Sequence, residues 1–463
     1  MNETSVALNQ TRVSSFRSLL SMMILLQFLC IPSMVIGQIP AFPGAEGFGS
    51  STPGGRGGRV IKVTNLTDKG PGSFREACDA QGPRIVVFDV SGTISLEKDL
   101  VLDNPFVTIA GQTAPGEGIC VKGYQFRVRT HDVIIRGMKF RVGDKHADPT
   151  DKDGNLRFVS LSLVGRKRTP VYNAIIDHCS ISWSIDKNLM VWTRENEFGP
   201  ALHDVTIQWC ISSEALYSPL HPKGDHHAMG MSLSVVKNIT VHHNLIAHCN
   251  ARNPQFAKFT EGEAINNVVY NWGTHATELQ TGAKVNLIGN YYKPGKSWQR
   301  NSKEIHVEGG SPKYGNIAVY ASGNIGPNRK TDSEDEWALA SVDPRFKSAA
   351  PVIQPSGVVS QPAAEAYRLV IAHAGALPRD ATDRRIIADV ESESGKEITS
   401  QDDIGAWPEF ISGERRADDD SDGMPDDWES SHGLNPRDAS DASEDRNRDG
   451  YTNIEEYINQ LIK

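Results

Sequence analysis

Apolar residues return at every second position in a succession of short runs: PRIVVFDVSGTISL, PFVTIAGQTAP, HDVIIRGMKFRVGD, NAIIDHCSISWS, HDVTIQWCISSE, KNITVHHNLIAH, NNVVYNWG, KVNLIGNYYKPG and GNIAVYASGNIG. Each run closes on Asn, Gly, Asp or Cys, and a period of two is the pattern of a β-strand. Successive runs start roughly 20 to 40 residues apart, with no helical-period segment between them. A sandwich would turn more regularly, every 8 to 12 residues or so. Here loops of unequal length, such as GDKHADPTDKDGNLRF and ALYSPLHPKGDHHAMGM, interrupt otherwise similar units. That is the signature of a coil that repeats while its loops do not. The pattern predicts an all-β chain folded as a right-handed parallel β-helix, a solenoid, followed by a small C-terminal module of different character.

The theme is expected to stop near residue 330. Beyond it, a polar, Pro-containing stretch reads as a wrapping segment or linker, and AAEAYRLVIAHAGA reads as a short helix ended by LPRDATDRR. At the other end, Arg12 and Arg17 precede the apolar run LLSMMILLQFLCIPSMVIG, interrupted by Gln27 and Pro32. This is the pattern of a cleaved secretory signal rather than a membrane anchor, with Gly37 as the small residue before the cut. The residues QFL before Cys30 lack the small side chains of a lipidation site. The expected layout is a signal over 1–37, the β-helix over 38–330, the wrapping segment over 331–417 and the tail over 418–463. The product is expected to be secreted and monomeric.

Composition sharpens this division. The chain has 463 residues, 38% hydrophobic, enough for a sizeable core. Its net charge is −9. Residues 401–463 hold 18 Asp and Glu against 6 Lys and Arg, a net of −12, which leaves +3 for residues 1–400. The acidity belongs to the tail, and nothing points to nucleic acid.

Five cysteines follow the signal: Cys78, Cys120, Cys179, Cys210 and Cys249. An odd number cannot all pair. The last three lie in similar segments, IIDHCSIS, TIQWCISS and LIAHCNAR, so buried stacking at equivalent positions is the first expectation, ahead of a disulfide or a metal site.

Within the tail, DDDSDGMPDDWE and DRNRDGYTNIEE each match a twelve-residue calcium loop, with oxygen side chains at positions 1, 3, 5 and 9, Gly at 6 and Glu at 12. The first supplies Asp418, Asp420, Asp422, Asp426 and Glu429. The second supplies Asp445, Asn447, Asp449, Asn453 and Glu456. The tail has few apolar residues, so calcium is expected to hold it folded. The pair is similar to the calcium repeats of dockerin and thrombospondin type 3 modules, and docking to a partner stays open.

Three stretches inside the solenoid concentrate chemistry. IIDHCSISWSIDKNLM carries Asp177, His178 and Asp186; SPLHPKGDHHAMG carries Lys223 between His221 and His226; HHNLIAHCNARNPQF carries Arg252 before a proline. Together with AFPGAEGFGSSTPGGRGGRVIKVTNLTDKGPGSFREA and GPRIVVFDVSGTISL, in this order over residues 40–325, they resemble the pectate lyases of polysaccharide lyase family 1. The resemblance implies a right-handed parallel β-helix acting on pectate or a related uronan, with Ca²⁺ as cofactor and an acidic polysaccharide as partner. It further implies that Arg252 is the catalytic arginine and Lys223 the lysine on the substrate carboxylate. Asp186 falls at a calcium ligand, with Asp151 and Asp153 as candidate upstream ligands. His221, His226 and Lys258 are candidate substrate contacts. Two positions depart from the family pattern: Met190 stands where a second carboxylate is common, and Gln255, Phe256 and Ala257 follow the proline where a basic residue is usual, leaving Lys258 as its substitute.

The chemistry explains these residue types. β-Elimination removes the proton on carbon 5 of a uronate and expels the oxygen on carbon 4, and negative charge grows on the adjacent carboxylate. A calcium ion or Lys223 stabilises that charge. An arginine base is unusual, since an unperturbed guanidinium titrates at about 12.5 or above. Arg252 therefore serves either as the base, favoured by alkaline conditions, or as a charge stabiliser with His221, His226 or His227 as base. His178, His242 and His243 are expected to be packed rather than reactive. Two other readings compete: a hydrolase on the same solenoid, which would need a close carboxylate pair, and a non-catalytic carbohydrate-binding or adhesion protein. The sequons at Asn65 and Asn238 matter only in a glycosylating host.

Overall fold

The structure is a computed structural model that describes residues 39–147, 159–217, 220, 227–300, 302–310 and 315–462. Among these, the alternating runs form three parallel sheets that wind around one core. Sheet A has eleven strands, from Arg59–Val63 to Lys347–Ser348. Sheet B has eight, from Gly92–Ser95 to Tyr291–Lys293, and sheet C nine, from Leu100–Leu102 to Ala340–Ser341. Each strand pairs with the equivalent strand of the coils before and after it. Ile176, for example, faces Ile207, which faces Val241, and the series continues coil by coil through Ala264 to Leu287. All of these are buried, and together they make one continuous apolar column. The strand repeat runs past residue 330, to Ser348, because Ala340–Ser341 and Lys347–Ser348 add one more rung to sheets C and A.

The coils turn at three recurrent corners where the chain takes a left-handed residue, the one from sheet C to sheet A being the column Phe106, Asp132, Asn173, Asp204 and Asn238. Between sheets A and B the column is His178, Trp209, His243 and Asn266, each with φ between 46° and 54°, continued by Gly289 and Gly323. The following residue stacks with its counterparts one coil away. Backbone N–H groups of Cys210, Asn244, Asn267 and Asn290 donate to the side-chain oxygens of Asn244, Asn267, Asn290 and Asn324, at 2.8–3.1 Å, in steps of 34, 23, 23 and 34 residues. Cys179 and Cys210 begin this column, the Cys179 N–H lying 3.4 Å from the Cys210 sulfur. Cys249 belongs elsewhere. It follows His248 at the corner between sheets B and C, level with Ala215 after Glu214, so the expected equivalence of the three cysteines holds only for the first two. Asn244, not Cys249, is the counterpart of Cys210. All five cysteines are free and buried.

The ends and outer faces are covered by non-repeating pieces. Helix α1 (Phe74–Asp79) closes the N-terminal end with Phe74, Ala77 and Cys78, and Arg84 donates to the carbonyls of Ala77 and Cys78. On sheet A, Phe42 and Ala45 pack on Ile134 and Ile175. Gly49 approaches so closely that a Cβ there would stand 2.2 Å from the Ala174 carbonyl. Sheet B is covered by α2 (Ala363–His373) and α3 (Ala381–Ser392), with Val370, Ile371, Ile386 and Val390 against Ile211, Leu245 and Val268. The helix read from the sequence is α2. The segment LPRDATDRR does not simply end it: Asp380 accepts from the Asp383 N–H and starts α3, a cap signal present in the sequence. Beneath these helices, fully buried Arg141 binds both Asp380 oxygens at 2.6 and 3.1 Å and Asp383 at 2.8 Å.

Candidate functional site

The outer face of sheet C carries a groove of about 1150 Å³. Its floor is a column of outward positions, one per coil: Arg127, Ser162, Met190, Ser232 and Gln255 are mutual neighbours across four strand pairings. At about 4.8 Å per rung the column spans about 19 Å, room for several sugar units. Among the described residues the groove is lined by the cations Lys98, Arg127, Lys187, Arg194, Arg252 and Lys258 against the carboxylates Asp99, Asp186 and Glu195. A protein of net charge −9 therefore presents here a surface with an excess of positive charge, suited to a polyanion. Tyr124 and Trp192 add aromatic surface.

Arg252 sits where the chain leaves the sheet B–C corner and enters the two-residue strand Gln255–Phe256. Its φ of 61° is left-handed, a conformation a non-glycine residue adopts at a cost of about 1–3 kcal/mol. Hydrogen bonds on both sides hold it: its N–H donates to Glu278 Oε1 at 3.3 Å, and its carbonyl accepts from the Met231 N–H at 2.7 Å. The same Glu278 accepts from the Gln255 amide at 2.8 Å. Behind Arg252, the Asn253 side chain is fully buried and donates to the Cys249 carbonyl, and Gly230 leaves it room, since a Cβ there would lie 2.3 Å from Asn253 Oδ1. Sequence reading missed Glu278. The only hint was its place on the strand one coil after Arg252.

The structure brings Arg252, Asp186 and Lys258 to the same groove. Asp186 is almost wholly buried and accepts from the neighbouring Lys187 ammonium. Lys258 forms an ion pair with Glu195 at 2.7 Å, and Arg127 pairs with Asp99 at 3.2 Å. Met190 lies on the strand that follows Asp186, and pairs with Ser162 of the preceding coil. A protein cage for calcium needs six to eight oxygens. Of the described carboxylates that line the groove, Asp99 and Glu195 are engaged by Arg127 and Lys258, and Asp186 is the one at the position where the sequence expects a calcium ligand. Lys223, His221, His226, Asp151 and Asp153 lie outside the described residues.

His178, His242 and His243 are packing residues, as their sequence context suggests. His178 and His243 stack on the two sides of Trp209, at ring-centroid distances of 6.0 and 4.4 Å. Burial drops the His243 pKa to about 4 and also depresses His242. Asp177, fully buried, binds His178 and Arg136. Burial opposes its ionisation, but these two partners outweigh it and hold its carboxyl well below the usual range.

In the tail, the first loop gathers Asp418, Asp420 and Asp422 within 4.8 Å of one another, and Asp422 is equally close to Glu429 and to Asp441, which lies outside the twelve-residue pattern. Burial, followed by the crowd of aspartates, pushes Asp422 up to about 7 and Glu429 up to about 8. Asp426 instead accepts from the Asp419 N–H at 2.8 Å. The second loop is exposed and bonded within itself. Asp445 accepts from the N–H groups of Arg448 and Gly450, and the Asn447 amide donates to Asp449 and Glu456. Asn453 turns away, to the Asp441 carbonyl at 2.8 Å.

No family model matches the chain. It is 31% identical over 469 aligned positions, 96% of its length and 98% of the other's, to a probable pectate lyase C of Aspergillus flavus. It is 32% identical to a probable pectate lyase C of Emericella nidulans, covering 91% of this chain and 93% of that one. Among solved structures, a pectate lyase bound to a hexasaccharide superposes with a TM-score of 0.52 at 16% identity, over 73% of this chain and 98% of that one, a likeness of fold. No described helix is long and apolar enough to cross a membrane.

Proposed function

Because the chain belongs to the pectate lyase family, we propose that it cleaves polygalacturonate or a closely related uronan by β-elimination in the groove of sheet C. The observation that carries this reading is the excess of cations in that groove with Arg252 among them. A polyuronate lies along the 19 Å column of about four rungs, its carboxylates facing Arg127, Lys187, Arg194 and Lys258, its rings against Tyr124 and Trp192. Neutral Arg252 guanidine takes the proton from carbon 5 and becomes guanidinium. The electron pair of that C–H bond forms the C4–C5 double bond, the bond from carbon 4 to the glycosidic oxygen breaks, and that oxygen leaves with its pair and is protonated by water. Backbone hydrogen bonds to Glu278 and Met231 fix Arg252 for this step. Lys223 is assigned to the carboxylate of the reacting sugar, and His221 and His226 to substrate contacts.

Asp186 is the groove residue that would hold a calcium ion jointly with carboxylates of the bound chain, and the ion would neutralise charge next to the reacting carbon. The tail loops are assigned further calcium ions. Residues 1–37 are read as an export signal and the protein as secreted.

Incubation with polygalacturonate in Ca²⁺, followed by ultraviolet absorbance of the unsaturated product, tests the reading. Arg252→Ala is expected to reduce the signal at least about a thousandfold, the size of effect that loss of a key catalytic group produces. New reducing ends without that absorbance would mean hydrolysis, and full activity in Arg252→Ala would remove this residue from the mechanism.

A further inference from the structure

The tail carboxylates divide their oxygens in a consistent way. In the four aspartates, one oxygen is tied by a lysine or a backbone N–H: Asp418 Oδ2 by Lys62 and the Gly423 N–H, Asp422 Oδ1 by the Met424 N–H, Asp441 Oδ2 by the Asn435 N–H, and Asp420 Oδ1 by the Asp422 N–H. The others, Asp418 Oδ1, Asp420 Oδ2, Asp422 Oδ2, Asp441 Oδ1 and both oxygens of Glu429, are buried and accept no hydrogen bond. Glu429 is fully buried. An unsatisfied buried oxygen of this kind is costly, and six together, all acceptors, match the shell of a hard divalent cation.

This cluster stands on the body of the protein. Lys62, on the first strand of sheet A, reaches Asp418 at 2.5 Å and Asp89 at 3.3 Å. Met424, at the centre of the loop, is fully buried and, with Trp428, Ile454 and Ile458, packs on Ile85, Val87 and Ala110. Gly423 lies so close to the sheet that a Cβ would stand 2.9 Å from Val60. We propose that a calcium ion held by Asp418, Asp420, Asp422, Glu429 and Asp441 fastens the tail onto the outer face of the first rungs of sheet A, and so stabilises the β-helix at a site separate from the substrate groove. Asp441 completes the shell from outside the loop, in place of Asp426. Without the ion, five carboxylates repel one another at close range, the loop opens, and Met424 and Trp428 lose their seat. The inference rests on reading the tail as a calcium binder, but not on the identity of the substrate.

Titration calorimetry with Ca²⁺ on the full chain, combined with hydrogen exchange, tests it. Calcium is expected to slow amide exchange at least tenfold both at Met424–Glu429 and at Arg84–Phe88 on the sheet. Asp441→Asn is expected to weaken this binding at least tenfold and to remove the protection at Arg84–Phe88, and Glu429→Gln to act likewise. Turnover of polygalacturonate by Asp441→Asn at low temperature in Ca²⁺ is expected to equal that of the wild type. Protection confined to the tail, wild-type affinity in Asp441→Asn, or no calcium binding would each overturn the proposal. Absence of turnover in wild type and variant alike would count against the pectate reading alone.

Discussion

Replacing Arg141 by methionine tests what keeps the C-terminal helices on sheet B. Arg141, Asp380 and Asp383 are all fully buried, and three hydrogen bonds of 2.6–3.1 Å link strand Met138–Arg141 to the start of α3. Burial opposes ionisation of Asp380, but Arg141 more than offsets it and keeps this carboxyl below its ordinary range. Methionine fills similar volume without charge, leaving two aspartates in a dry interface. Breaking a buried ion cluster from one side costs about 3–5 kcal/mol, a large part of the stability of an ordinary domain. Urea unfolding followed by far-ultraviolet circular dichroism should show this loss in Arg141→Met. The triple variant Arg141→Met, Asp380→Asn, Asp383→Asn should recover most of it, because asparagine keeps the cap of α3 and both aspartate charges go with the arginine's, while buried Lys139 keeps the Glu117 and Pro378 carbonyls as acceptors. A single variant within about 1 kcal/mol of wild type, or a triple variant as weak as the single, would refute the assignment of stability to this cluster.

Three further outcomes follow from other parts of the molecule. Burial raises the Glu397 pKa from 4.5 to about 7, so the folded state binds its proton more tightly than the unfolded state. Stability is then lost as pH rises from about 4.5 through 7, by at most on the order of 3 kcal/mol, and Glu397→Gln should flatten this part of a melting-temperature profile against pH. Met190→Asp places a second carboxylate beside Asp186 and should lower the calcium concentration for half-maximal turnover about tenfold; an unchanged calcium dependence would place the ion elsewhere. Asn267→Ala removes the acceptor of the Asn244 N–H, while the Asn244 amide keeps the Ile207 and His242 carbonyls; one buried donor left unpaired should cost about 1–3 kcal/mol in urea unfolding.

Much of this was legible in the chain because a β-helix repeats its pattern. Alternating apolar positions define the strands, and the Arg252, Asp186 and Lys258 positions follow from motifs at their ends. What was not legible depends on neighbours far away in sequence. Cys249 looked equivalent to Cys179 and Cys210 because its local context, AHC, mimics DHC and QWC, yet the corner it occupies is set by strand register. Asp441 joins the tail cluster only after the chain has folded back over it. Glu278 supports Arg252 from one coil away, a step of 26 residues. The second helix was visible in Asp380 as a cap, but the buried partner that gives this aspartate its importance, Arg141, lies 239 residues earlier.

The asparagine ladder has a direction. Each rung from Asn244 to Asn290 sends its backbone N–H and its amide toward the next rung's oxygen, and Asn324, at the end, sends both to Glu336. A carboxylate only accepts, so it is the one kind of side chain that can end such a series without passing the demand onward. The two ends of the stack are therefore not equivalent: a coil added upstream of the ladder leaves its terminus intact, whereas a break between Asn324 and Glu336 strands two donors and exposes the preceding rungs in turn. The ladder works as a one-way zip, and its stop is Glu336.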